Sequence, residues 1–474
     1  MTKSLKIEKI SPHMRNSQDP QYLKDERTLK LTAWLLLLLS LGMFFGGIYM
    51  QVVLHQTKAP LWLGIVAALP LAIPLELWNF SDPDTLYRVM ALQDRFLIAC
   101  FGFAIGLGAI LLYGVNLFTS PNFGLKAFFV GGVILGGLIF GIGVGLSGYF
   151  PGVVWIALGQ GRRDAIYAAL GGLLGAFVWS VIFGWVKPYL WDALNFGAIT
   201  WPQLFGVPFS DKIGMFIASL IFGVIMFAVF LFLPRYPRQP VRHSCSFHLA
   251  GKGATIRFED AMRDELAKYP KQNRYLVELI NESSVRNARY VVVLGLAFTI
   301  EAVAVILLHQ IFGESTTYSW IGAQLSYLVN PYWAASNPYF QLFGGMHIVN
   351  GVPVNKPFSE IGWEPITDLS TFLGGLISSI FISRRFMGFK RQIPTIWARR
   401  FGTSEAKRFL GSFFGAFLVL FGARMANGCA SGHILSGNLQ MAVSSFVFML
   451  AVMVGAMITL RYVMRLKINS WGYA

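Results

Sequence analysis

Charge is what this sequence has least of. Asp, Glu, Lys and Arg make up 13% of its 474 residues, against ~25% for soluble proteins. Its apolar residues, 55% of the chain, come in uninterrupted blocks, several reaching the ~20 residues that cross a bilayer. A soluble core is therefore excluded. Cysteine is also scarce. Cys100, Cys245 and Cys429 share no metal-ligand spacing, and an odd number suits no disulfide framework. No GxxxxGK followed by Ser or Thr occurs, so no ATP site is expected. The opening thirty residues lack a cleavable signal pattern, so the first span is expected to act as its own insertion signal. Positive charge is the exception, with a formal net charge of +16. The basic residues flank the apolar blocks, which argues against nucleic acid as a partner and for a membrane orientation signal.

Hydropathy places about ten spans, near 32–54, 60–79, 96–118, 128–147, 164–186, 212–234, 290–312, 369–384, 407–425 and 440–462. Basic clusters precede the first span, follow the eighth (Arg384 to Arg408) and close the chain at Arg461, Arg465 and Lys467. An even span count puts all three on one side, read as cytoplasmic. The expected fold is thus an all-α polytopic protein of the bacterial inner membrane with both termini cytoplasmic. It divides into a cytoplasmic segment 1–31, a transmembrane half 32–234, a basic cytoplasmic linker 235–289 and a second half 290–474. The linker reads as a solvated segment or as a docking surface. The second half includes an outer loop, 313–368, with Lys356 as its sole basic residue and Tyr318, Trp320, Tyr332, Trp333, Tyr339 and Trp363 among its rings. Such rings favour the bilayer interface, so this loop is expected to cap the outer leaflet.

Two stretches are too short to cross. One follows Gly145–Gly152 and ends at Gly159-Gln-Gly-Arg-Arg163; the other follows Gly422–His433 and ends at Ser436-Gly-Asn438. Each reads as span, glycine-rich break, half-length helix, polar turn, span. Aligning Phe150 with Cys429 brings Gly175 opposite Gly455 with one gap. The expected arrangement is two pseudo-symmetric halves in inverted orientation, each with a re-entrant helix reaching the membrane centre. Irregular backbone survives at that depth only in protein or beside a polar cavity, and a half-helix N-terminus suits an anion. Gly428, Cys429, Ser431, Gly432 and His433, with Arg424 before them, are the candidate binding residues. Helix packing is the plain alternative for the glycines, a structural role for His433, and an interfacial position for Arg424. Glu301 and His309, in or beside the seventh span, are intramembrane ionisable candidates.

At these residues the chain resembles the YeeE/YedE family of sulfur-compound transporters. Gly422–Gly432 with His433 looks like that family's Gly-Cys-Thr-Ser-Gly-His element. Gly148–Gly152 with Leu158–Asp164 looks like its Gly-Tyr-Cys-Pro-Gly and Leu-Gly-Glu-Gly elements, except that Phe150 stands where the family has cysteine. The resemblance implies a permease, not an enzyme, that passes a small sulfur-containing anion such as thiosulfate between short-helix thiols. Cys429 would hold the anion, and Tyr149, Phe150, Pro151 and Gly152 would form the inner gate. No cofactor, metal or catalytic residue is implied. A cytoplasmic sulfur carrier of the TusA-like kind or other membrane subunits are the expected protein partners. Two rivals remain: a transport-inactive docking subunit of a larger membrane complex, motivated by Phe150, the aromatic loop and the basic linker, and a sulfur-redox enzyme using Cys429 as nucleophile beside His433.

Overall fold

Two interrupted helix pairs organise the chain. The computed structural model describes residues 20–55, 59–92, 96–232, 246–248, 288–310, 312–358, 362–383 and 385–466. The principal helices of the first half are α1 (Pro20–Val52), α2 (Leu69–Leu77), α3 (Pro83–Met90), α4 (Phe96–Asn116), α5 (Val130–Ser147), α6 (Pro151–Gly159), α7 (Arg163–Lys187) and α8 (Lys212–Phe232). Those of the second half are α9 (Ala288–Leu307), α10 (Thr316–Val329), α11 (Pro338–Phe343), α12 (Trp363–Ile377), α13 (Thr395–Phe401), α14 (Glu405–Met425), the wide π-type α15 (Ala430–Gly437) and α16 (Val443–Ile458). Seven helical stretches among the described residues are long and apolar enough to cross a membrane, and three shorter apolar helices lie at Leu61–Leu77, Lys212–Ala228 and Val292–Leu307. Leu38 and Phe45 on α1, Ile221 and Val224 on α8, and Leu450 and Val454 on α16 face outward, as lipid-facing side chains do. The chain is an all-α multi-pass membrane protein.

The two short stretches are the short helices α6 and α15. Each is announced by the same device. Gly148 (φ 74°) ends α5, and Asn427 (φ 56°) follows α14; glycine and asparagine are the residues that enter this left-handed conformation at least cost. Two residues later, Phe150 and Cys429 take the N-cap positions of α6 and α15. The aligned pair Phe150 and Cys429 is thus equivalent in the fold.

Lipid tails are as apolar as the helices, so close backbone approach does the packing between membrane helices. A Cβ on Gly136 of α5 would fall 2.7 Å from the carbonyl of Gly422 on α14, and one on Gly422 would fall 2.4 Å from the Gly136 carbonyl. The helices after the breaks cross to the other half. Gly175 of α7 packs on the Phe417 carbonyl of α14, where a Cβ would come within 2.2 Å, and Gly455 of α16 packs on the Leu138 carbonyl of α5, within 2.3 Å. The aligned glycines do equivalent work, each locking its own half against the broken helix of the other.

The aromatic stretch 313–368 is built differently from a surface cap. α10 and α11 fold inward, with Tyr318, Tyr339 and Phe340 buried and Tyr339 packed on Phe183 of α7 at 4.8 Å. Only part of it faces outward, including an antiparallel hairpin (Met346–Val349 with Val352–Asn355, Val349 opposite Val352). A second two-strand pair joins Ser246–His248 of the linker antiparallel to Gln392–Pro394, with Phe247 opposite Ile393. The rest of the linker up to residue 287, including Cys245, lies outside the described residues, as do residues 1–19, Arg384 and Lys467.

Candidate functional site

Cys429 is 1% exposed, and its Sγ lies 3.1 Å from the Ser431 hydroxyl. Capping position explains this closeness, because the first turn of α15 folds residue 431 back over the cap. Gly432 leaves open space: a Cβ there would meet no atom nearer than Lys126 Cε at 3.8 Å. Gly428 is tighter, against the His433 ring at 2.7 Å. His433 has both ring nitrogens engaged, Nε2 with the Ala426 carbonyl at 3.0 Å and Nδ1 with the Ser445 hydroxyl at 3.1 Å. A carbonyl only accepts, so Nε2 carries the proton and the Ser445 hydroxyl donates to Nδ1. His433 thus ties the break after α14 to α16.

Arg424 does not reach an interface. It is 1% exposed. Its Nη1 donates to the hydroxyls of Ser315 and Thr316, each at 3.0 Å. Its Nε donates to the Tyr339 hydroxyl, and its guanidinium lies 4.7 Å from the Phe343 ring centroid. Arg424 Nη2 has no hydrogen-bond partner among the described residues.

On the other short helix, Phe150 stacks on Phe140 at 5.6 Å and leans on Phe80 at 5.7 Å. Phe140 in turn meets Phe448 at 5.4 Å, and Phe448 stacks on His433 at 4.5 Å. An unbroken file of rings therefore joins the cap of α6 to His433 on α15. Pro151 begins α6, and its carbonyl accepts from the Tyr318 hydroxyl at 3.4 Å. Gly152 makes the closest approach. A Cβ there would lie 1.8 Å from Glu314 Oε2, so the Glu314 carboxylate fills the place of the missing side chain. Glu314 faces the Gly152 N–H and the Ser431 hydroxyl at once. It therefore stands between the N-termini of α6 and α15.

Tyr149 points the other way, into a buried polar network. Its hydroxyl donates to Asp164 at 2.8 Å and accepts from Arg162 at 3.1 Å. Arg408 donates to Asp164 at 2.6 Å and to the Tyr87 hydroxyl at 3.2 Å. Arg162 also reaches Asp82 at 3.5 Å, and Arg385 pairs with Glu76 at 2.9 Å. Asp84 takes the N–H groups of Thr395 and Ile396, at 2.6 and 2.9 Å, at the start of α13. Burial first, and neighbouring Asp82 second, push the Asp84 carboxyl up to about 7.

The structure thus gathers Cys429, Ser431, Gly152 and Glu314 at one place, with Lys126 and Arg424 beside them, and leaves Tyr149 in the network. Glu314, Glu364, Asp368 and Lys126 are site neighbours that the sequence reading passes over. The missed signal is Asp368, an acid one residue outside the assigned eighth span, where it reads as interfacial. Glu301 lies within α9, fully buried, with neither oxygen hydrogen-bonded among the described residues, and Cys100 packs into the core on α4.

Among the described residues, no group of three or more His, Cys, Asp and Glu side chains could hold a metal ion. No single curated protein matches the chain. A family model described as sulphur transport matches residues 80–458, a stretch that takes in both short helices, Glu314 and, apart from Glu76, the buried network. The chain belongs to the YeeE/YedE sulphur transport family and is a sulfur-compound transporter.

Proposed function

We propose that the chain is a permease for a small sulfur-containing anion such as thiosulfate, with Cys429 as its binding thiol. The observation that carries this reading is the buried thiol at the cap of α15, 3.1 Å from Ser431, with Arg424 and Lys126 adjacent. A soft S–H donor suits a terminal sulfur, the N–H groups of a helix start suit oxyanions, and the two cations offset the anion's charge. Gly428 and Gly432 let the backbone approach the anion. His433 positions the break. Phe150, Pro151 and Gly152 form the inner gate, with Phe150 closing the path through its ring contacts and Tyr149 anchoring the gate to the buried network. Transport is passive or gradient-driven. The basic flanks support an inner-membrane orientation with cytoplasmic termini, and the linker, 235–289, would meet a sulfur carrier of the TusA-like kind.

Uptake of sulfur-labelled thiosulfate into vesicles carrying the protein tests this. Cys429→Ala is expected to abolish uptake, and Phe150→Cys to raise it. Uptake that survives Cys429→Ala removes the thiol from the mechanism. The aromatic file around Phe150 favours one second reading, a transport-inactive docking subunit. Stoichiometric partners on purification, together with no flux in the wild type or in Phe150→Cys, would establish it.

A further inference from the structure

Glu314 belongs to neither short helix, yet its carboxylate occupies the position that both prepare for an anion. It lies in the turn between α9 and α10, with 8% of its surface exposed. Its oxygens would fall 1.8 and 2.0 Å from a Cβ on Gly152, so glycine at 152 is what gives the carboxylate its room. Its carboxylate lies over Gly152 at the start of α6, and the Ser431 hydroxyl at the start of α15 acts on its charge. A helix N-terminus carries partial positive charge and favours anions. Here two such termini converge, and the anion between them is the protein's own.

A second observation points to a ligand. Arg424 hydrogen-bonds Ser315 and Thr316, the two residues after Glu314. It leaves Nη2 unpartnered among the described residues while 1% exposed. Lys126 lies along Gly428 and Gly432, and its electrostatic neighbours include Arg424, Glu364 and Cys429. A buried guanidinium N–H without an acceptor is costly, and a bound oxyanion would supply one.

We propose that Glu314 is a tethered competitor for the transported anion: its carboxylate fills the seat between the two short helices, and the anion enters by displacing it. This rests on the permease reading above. Displacement frees the Ser431 hydroxyl, 3.1 Å from the Cys429 thiol, for the incoming ligand. It also confers selectivity by charge. A monovalent anion gains no more from the two helix starts than the carboxylate it replaces, whereas a dianion such as thiosulfate gains more from the same groups and from Lys126 and Arg424.

Binding of thiosulfate and of inorganic sulfate to the purified full chain, measured by calorimetry in lipid nanodiscs, tests the assignment separately from uptake. A site that is open in only a fraction of molecules has its apparent affinity lowered by that fraction. Glu314→Gln, which keeps the shape and removes the charge, is expected to tighten thiosulfate binding by about tenfold or more on that account. Glu314→Asp, which withdraws the carboxylate by one methylene, is expected to give a smaller gain, and it carries the test if the glutamine variant does not fold. Adding Ser431→Ala to Glu314→Gln is expected to erase the gain, which ties it to this seat. Unchanged or weaker binding of both anions in a folded variant overturns the proposal. Loss of folded protein in both variants also overturns it, since the carboxylate is then a structural cap. Tighter binding without uptake keeps the competitor and removes the permease; uptake with unchanged binding does the reverse.

Discussion

Two buried clusters of charge lie in this protein, and they are built on opposite plans. In the network around Tyr149, each acid that is named has its cation or its helix N–H: Asp164 with Arg408 and Arg162, Glu76 with Arg385, Asp84 with the start of α13. Between the short helices, the acids are not held by cations in this way. Glu364 takes the Thr316 N–H at 3.2 Å, Glu314 faces Gly152 and Ser431, and Asp368 has neither oxygen hydrogen-bonded among the described residues. Burying a charge without a partner is expensive, so a finished fold settles its charges wherever nothing else has to bind. The network is settled and reads as architecture, joining α2, α3, α7, α13 and α14 at one end. The unsettled cluster reads as the place kept open for a ligand.

Breaking the settled cluster is expected to cost most. Asp164→Asn leaves Arg408 and Arg162 without their shared carboxylate, and removing one member of a buried pair costs about 3–5 kcal/mol. The expected outcome is a marked fall in the yield and thermal midpoint of the detergent-purified protein. An unchanged midpoint would show that the network is hydrated and would dissolve the contrast. His433→Ala comes next. It strips the Ser445 hydroxyl and the Ala426 carbonyl of their partners, at about 1–3 kcal/mol for the buried groups left unsatisfied. If His433 only ties the break to α16, uptake falls in step with the amount of folded protein. A much steeper loss per folded molecule would move His433 into the binding site itself.

How far the sequence discloses this plan depends on whether the signal is local. The breaks are local: Gly148 and Asn427 with the glycines around them mark two short helices in a chain of apolar runs, and α6 and α15 lie where the pattern puts them. The equivalence of Phe150 and Cys429 is legible for the same reason, as is the match of Gly175 with Gly455, but the crossing these two glycines make is not. Burial of 313–368 is not. Tyr318 and Tyr339 have the composition of interfacial rings, and only the tertiary fold turns them inward, because α7 and α14 offer them a surface. Glu314 is hidden more deeply. It follows an apolar span, where an acid ordinarily marks the return to water, and its meaning comes from Gly152, 162 residues earlier by simple subtraction of the two positions. Arg424 reads from sequence equally as an anion-binding and as an interfacial arginine, and the Ser315 and Thr316 hydroxyls that hold it belong to the same distant turn.

The smallest effect on stability is expected at Asp368, and there the contrast is sharpest. Asp368 and Asp164 are both 1% exposed aspartates. Asp164 accepts from Arg408 and Tyr149, whereas Asp368 has Thr317 beside it and Glu314, Glu364 and Cys429 as electrostatic neighbours. Asp368→Asn takes away no hydrogen bond that the carboxylate makes with the described residues. The change in stability is therefore expected to stay within about 1 kcal/mol, the net worth of one ordinary hydrogen bond. With one acid fewer near Cys429, thiosulfate uptake is expected to half-saturate at a lower concentration than in the wild type. Thermal melts of Asp368→Asn and Asp164→Asn, run side by side, decide the matter. A fall in the Asp368 variant as large as that in the Asp164 variant would show that Asp368 is anchored too, and the division between a settled and an unsettled cluster would not hold.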